Sequence, residues 1–210
     1  MDWELFTRTL TALFIIANPI GAIPVFLSLT ANFSPEERHR TALYTFATVA
    51  TVLILSGLVG EALLSFFSIS LPAFRAGGGL IILLMAISML QARHGRIRHT
   101  PEEALEAEER ENIGIVPLGI PMLAGPGAIS TMIIYAHQAS SVHSRLLILA
   151  AALVASLSIY IAFRVAEPLR NRLGQTGINI TTRILGLLLV AISVEFIVKG
   201  VATLWMNHTG

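Results

Sequence analysis

Asn18-Pro19-Ile20-Gly21-Ala22-Ile23 and Gly125-Pro126-Gly127-Ala128-Ile129-Ser130 are nearly the same short string, and each falls about halfway through an apolar stretch just long enough to cross a bilayer. A broken helix at membrane depth is tolerated only where it is buried in protein or lines a cavity. A pair of such breaks at corresponding positions in two halves of a chain points to the substrate site of a secondary transporter.

The composition around the breaks is that of a membrane protein. Of 210 residues, 54% are hydrophobic and 13% charged, and the mean hydropathy is +0.74. The formal net charge is +1 and no basic patch is interleaved with aromatics, which argues against a nucleic-acid partner. The chain has no cysteine, so it has no disulfide framework and no cysteine metal site. His94 and His99 sit in a polar loop without a second pair at ligand spacing, so no metal and no cofactor are expected. Asp2 and Glu4 stand where a cleavable signal would carry a basic run, and the first apolar stretch is therefore read as a transmembrane helix.

Windows of about 20 apolar residues mark transmembrane helices. They predict six spans, at 7–29, 42–67, 72–91, 115–137, 145–166 and 182–205. The one sizeable loop, Gln91 to Gly114, carries Glu102, Glu103, Glu108 and Glu109, and reads as a solvated turn or helix. It divides the chain into a first three-helix repeat at 1–91, a charged loop at 92–114 and a second repeat at 115–210. The halves share features in the same order. Gly21-Ala22-Ile23 recurs as Gly127-Ala128-Ile129, Arg75-Ala76-Gly77-Gly78 as Arg183-Ile184-Leu185-Gly186, and Ala86-Ile87-Ser88 as Ala191-Ile192-Ser193. Three spans per half is an odd number, so the second half must cross upside down, the arrangement behind alternating access. The expected fold is an all-α membrane protein of six helices in two inverted three-helix repeats, with helices 1 and 4 broken in mid-membrane.

Charge sets the expected orientation. Arg8, Arg75, Arg145 and Lys199 fall on the face that carries both termini, and the other ten of the 14 Lys and Arg residues fall on the opposite face. The positive face is cytoplasmic, so both termini are expected outside and the 92–114 loop inside.

Asn18-Pro19 is a helix start written inside a helix. Proline removes a backbone donor and clashes with the carbonyl four residues back, here Ile15. It also suits the first position of a new helix after an asparagine cap. Gly125-Pro126 repeats this with a glycine cap. Each second half-helix is expected to offer free N–H groups, near 20–22 and 127–129, which suit a carboxylate. Each first half-helix is expected to end in free carbonyls, near 14–17 and 121–124, which suit an ammonium group or cation. The predicted site is Asn18, Pro19, Ile20, Gly21 and Ala22 with Ala124, Gly125, Pro126, Gly127, Ala128, Ile129 and Ser130. Its small residues and lack of fixed charge suit a small zwitterion. The simpler alternative is a pair of proline kinks that only shape packing, and two kinks beside glycine at equivalent positions favour a site over it.

Other features have simpler readings. Gly77-Gly78-Gly79 allows close helix packing. Pro117 and Pro121 shape the entry of span four. Glu195 and Lys199 lie four apart and pair along one helix face. Glu61 lies toward the outer end of span two, and both acids stay candidates for a coupling role because they lie within spans. Arg75 and Arg183 start spans three and six and can snorkel to the headgroups. Ser130 and His137 are seven apart, two helical turns, too far for a nucleophile and its base. No catalytic residue is therefore expected.

The Asn-Pro-x-Gly break, the Gly-Pro-Gly-Ala break and the Arg-x-x-Gly starts of spans three and six resemble the MarC family of integral membrane proteins, and the resemblance covers essentially the whole chain. One branch of that family, SnatA, transports small neutral amino acids such as glycine and alanine. The resemblance implies that Asn18, Pro19, Gly21, Gly125, Pro126 and Gly127 carry the substrate site, in a secondary transporter of the inner (plasma) membrane coupled to an ion gradient, with the proton favoured. The expected partners are a zwitterionic amino acid, the lipid bilayer and a coupling proton or cation. The alternatives are a non-transporting scaffold or regulatory protein, or efflux of another small solute. The sequence leaves the oligomeric state and the direction of flux open.

Overall fold

The computed structural model describes residues 2–91 and 113–209, and the described residues form helices and turns with no strand among them. The acidic stretch expected at 92–112, with His94 and His99, lies outside the described residues.

The helices are α1 (Asp2–Ala17), α2 (Pro19–Leu29), α3 (Pro35–Phe66), α4 (Leu71–Leu90), α5 (Gly114–Leu123), α6 (Pro126–His137), α7 (Val142–Arg164) and α8 (Ala166–Thr209). Among the described residues five runs are long and apolar enough to cross a membrane, and α1 with α2 counts as one of them, Trp3–Leu29. A sixth arises if α5 and α6, which meet at a 63° bend, are taken as one span. Leucines such as Leu55, Leu58, Leu84 and Leu187 point outward. On a soluble protein so many exposed apolar side chains would be a liability, but here they face lipid.

Local chemistry explains where the helices begin and end. Ser34 caps α3: its hydroxyl accepts the Glu37 N–H while the Glu37 carboxylate accepts the Ser34 N–H, with Pro35 in the first turn. This polar cap carries α3 seven residues ahead of the predicted start at 42. α8 likewise starts at Ala166 rather than 182, and is interrupted at Gly174, whose φ of +62° suits glycine. Arg183, expected at the start of span six, therefore lies well inside α8.

α5 is irregular because Pro117 and Pro121 each remove a donor and push the preceding residue to extended geometry. Val116 has φ −131° and ψ 123°, and Ile120 has φ −127° and ψ 130°. Both X–Pro bonds, Val116–Pro117 and Ile120–Pro121, are cis. The bonds at its two ends each span five residues: the Leu118 N–H reaches Ile113 O at 3.3 Å and the Ala124 N–H reaches Gly119 O at 2.8 Å.

Small residues set the packing of α4 on α8. A β-carbon added at Gly200 would lie 2.7 Å from Pro72 O, one at Gly79 would lie 3.0 Å from Ser193 O, and one at Gly186 would lie 3.3 Å from Ala86 O. Contact positions rise along α4 as they fall along α8, so the two helices run antiparallel. Elsewhere α1 packs on α6 and α7, α3 on α5, α6 and α7, α2 on α7 and α8, and α4 on α6. The Phe26 and Phe163 rings stack with centroids 4.1 Å apart, joining α2 to α7.

Candidate functional site

The first break is a single residue. Asn18 takes a left-handed conformation, φ 46° and ψ 64°, between α1 and α2. The Asn18 N–H donates to Phe14 O at 3.0 Å, and Asn18 O accepts the Ala22 N–H at 3.1 Å. The Gly21 N–H donates to the Asn18 side-chain oxygen at 3.1 Å. The donors expected free at 20–22 are thus reduced, because Gly21 and Ala22 are both served by Asn18. The Phe14 carbonyl, expected free, is also taken.

At the second break Gly125 is extended, φ −82° and ψ 178°, and no side chain caps the start of α6. Gly125 O accepts the Ala128 and Ile129 N–H groups at 3.0 and 3.1 Å. Of the donors expected at 127–129, only the Gly127 N–H is not held by Gly125.

The two breaks are neighbours. A β-carbon at Gly127 would lie 3.7 Å from Ile16 Cγ2, two residues before Asn18, and 2.8 Å from Met85 Sδ on α4. The expected site residues are mostly buried: Asn18, Pro19, Gly21, Ala22, Ala124, Gly125, Gly127, Ala128 and Ser130. Ile20 and Ile129 are half-buried and Pro126 is exposed. Gly127 faces packed side chains rather than open space. Ser130 packs on Gly78, where an added β-carbon would lie 2.9 Å from Ser130 Cβ.

Two further residues join this region. Thr182 Oγ1 would lie 2.9 Å from a β-carbon at Gly21, so it overhangs the first break. Thr131 follows Gly127 by one turn on the same face of α6. Both threonines are fully buried and both hydroxyls lack a hydrogen-bond partner. A buried hydroxyl left unpaired costs roughly 1–3 kcal/mol, and such groups call for an explanation. Sequence reasoning missed both, because the only signal was a threonine inside an apolar helix.

Cavities open on either side. One of about 380 Å³ is lined by Arg8, Arg75, Tyr135, Gln138, Glu195 and Lys199 among others. Another of about 260 Å³ lies at the opposite end, between Phe26, Arg38, His39, Phe163 and Glu167. There Arg38 donates to Thr30 O at 3.0 Å and Ala31 O at 3.3 Å and pairs with Glu167, tying the α2–α3 turn to the start of α8.

The acids named from sequence are both paired. Glu195 pairs with Lys199, and Glu61 lies 2.9 Å from His137 Nδ1. Ser130 packs beside Gly78, and His137 is held by Glu61. Among the described residues no cluster of His, Asp or Glu could hold a metal ion.

Interrupted apolar helices packed around a buried core, with an outward apolar surface, define a multi-pass integral membrane protein. The chain belongs to the MarC family of integral membrane proteins, which it matches over residues 3–205. It is 38% identical to the UPF0056 membrane protein YhcE of Escherichia coli (strain K12), covering 95% of this chain and 93% of that protein. It is 36% identical to a UPF0056 membrane protein of Buchnera aphidicola subsp. Baizongia pistaciae (strain Bp), covering 99% and 97%. It is 34% identical to one from Aquifex aeolicus (strain VF5), covering 95% and 94%. These names describe membrane proteins and state no activity. No solved structure matches the chain.

Proposed function

We propose that this protein is a secondary transporter of small neutral amino acids of the glycine and alanine class, working by alternating access and coupled to an ion gradient, with the proton as the coupling ion. The substrate is held between the two helix breaks, with Asn18, Gly21 and Thr182 on one side and Gly127 and Thr131 on the other.

The observation that carries this reading is the pair of unpartnered buried hydroxyls, Thr182 against Gly21 and Thr131 one helical turn beyond Gly127. A bound zwitterion would supply the donors and acceptors they lack. The cavities on opposite ends, with the breaks buried between them, fit an occluded state of such a cycle.

Packing supports two related halves, 1–91 and 115–210. Gly79 packs on Ser193 and Ile197, while Gly186 packs on Ala86 and Leu90. Residue 186 follows 79 by 107 positions, as 193 follows 86 and 197 follows 90, so exchanging the halves reproduces the contact. Exchange also maps α1 on α7 onto α5 on α3, α2 on α7 onto α6 on α3, and α2 on α8 onto α6 on α4. The antiparallel run of α4 and α8 supports inversion of one half relative to the other. It also supports six spans: if α5 and α6 entered and left on one side, α7 alone would separate α4 from α8 and the two would run parallel.

By the charge split, both termini lie outside the inner membrane and the 92–114 loop lies in the cytoplasm. The direct experiment is uptake and counterflow of labelled glycine and alanine in liposomes holding only the purified protein. Absence of both, in protein that binds neither amino acid, would sink the reading.

A further inference from the structure

The 380 Å³ cavity is unusual for where its charges come from. Four Lys or Arg residues fall on the face that carries the termini, and three of them, Arg8, Arg75 and Lys199, line this one cavity from α1, α4 and α8. They do not have equal freedom. Arg8 Nη2 is held by Glu4 Oε1 at 2.7 Å, and Lys199 is held by Glu195 Oε1. Among the described residues Arg75 has no hydrogen bond or ion pair, and it is half-buried.

A guanidinium that is partly desolvated and unpaired is poised for a planar, bidentate anion, and a carboxylate matches its fork. Glu195 changes what kind of carboxylate suits the cavity. Lys199 occupies its Oε1, which leaves Oε2 to accept an ammonium group. A cation and an anion in one small cavity complement a ligand that carries both charges. They fit a purely anionic phosphate headgroup less well, because Glu195 would repel it.

We propose that this cavity is an outer docking subsite for a small zwitterionic amino acid, whose carboxylate binds the Arg75 guanidinium and whose ammonium binds Glu195. It stands apart from the site between the helix breaks. The inference takes its substrate class from the reading above, but not the position of the central site.

The chain lacks cysteine, so Gln138→Cys places a single thiol in the cavity wall. The protein is reconstituted in phosphatidylcholine nanodiscs, and the labelling rate of that thiol by a charged maleimide is measured with and without glycine. Glycine is expected to slow labelling. Arg75→Gln should weaken this protection by about tenfold or more, the size expected when a charge-assisted hydrogen bond is lost, and Arg75→Lys should restore part of it. Arg8→Gln should leave protection in place. Glu195→Gln should remove the preference for glycine over propionate.

Thr131→Val separates the two sites. Protection of the thiol at position 138 that survives Thr131→Val while uptake is lost supports the outer subsite. Protection lost with Thr131→Val would assign the signal to the central site and overturn the inference. Normal uptake with no protection at position 138 would overturn the inference and leave the central reading standing. Labelling that falls with added phosphatidylglycerol and ignores glycine would assign the cavity to lipid headgroups, which also overturns it.

Discussion

The Gly21 N–H donates to the side-chain oxygen of Asn18 at 3.1 Å across the first helix break. The donor one would assign to a ligand is therefore already used, and Asn18 acts as a cap. Its left-handed backbone, φ 46°, adds a second constraint. Asn18→Ala loses a cap worth about 1 kcal/mol and places alanine in a conformation that costs roughly 1–2 kcal/mol. Asn18→Gly keeps the conformation and should cost less than about 1 kcal/mol. Thermal unfolding in detergent should rank wild type, Asn18→Gly and Asn18→Ala in falling order. Both variants should insert and neither should transport. Normal uptake by Asn18→Gly would remove the Asn18 side chain from the site.

Thr131→Val and Thr182→Val separate function from stability. Each replaces a buried hydroxyl that has no partner with a methyl group of similar shape. Stability should hold or rise by roughly 1–3 kcal/mol, while glycine binding should weaken. A rise in stability with unchanged binding would show that the hydroxyls do not face the ligand.

Topology is tested with single cysteines substituted for Leu105 and Ser140. Impermeant labelling of intact cells should reach position 140 and not 105 if, as proposed, α5 with α6 crosses between them. Labelling of both or neither would mean that the bent pair enters and leaves on one side. Labelling of 105 alone would reverse the orientation read from the charge split.

Arg38 joins two segments at the end opposite the termini, through the carbonyls of Thr30 and Ala31 and the carboxylate of Glu167. Glu167→Gln removes only the exposed ion pair, and its cost should stay below about 1 kcal/mol. Arg38→Gln also removes two carbonyl bonds and should cost more. Denaturant midpoints of the two variants check the order, and equal effects would mean that the carbonyl contacts contribute little.

Spans could be read from hydropathy because a lipid-facing helix must be apolar along its length. Their polar ends could not, so the Ser34–Glu37 cap and the stretch of α8 before residue 182 lay beyond an apolar window. Asn18-Pro19 marked its break because proline acts locally. The irregular path of α5 was less legible, since Pro117 and Pro121 announce a disturbance but not which wide bonds form around it. Thr131 and Thr182 were invisible as site residues, because whether a hydroxyl finds a partner depends on the fold. Arg8, Arg75 and Lys199 were counted as one side's charges, and only packing shows that they share a cavity.

Inhibition of glycine counterflow in liposomes of purified protein shows whether both charged ends of the amino acid are recognised. A site that binds a group by hydrogen bonds rejects analogues lacking it far more strongly than an added methylene, which costs about 1–3 kcal/mol. Alanine should therefore inhibit, glycine amide and propionate should not, and leucine should inhibit weakly. Equal inhibition by propionate and alanine would show that the amino group is not recognised and would contradict the account.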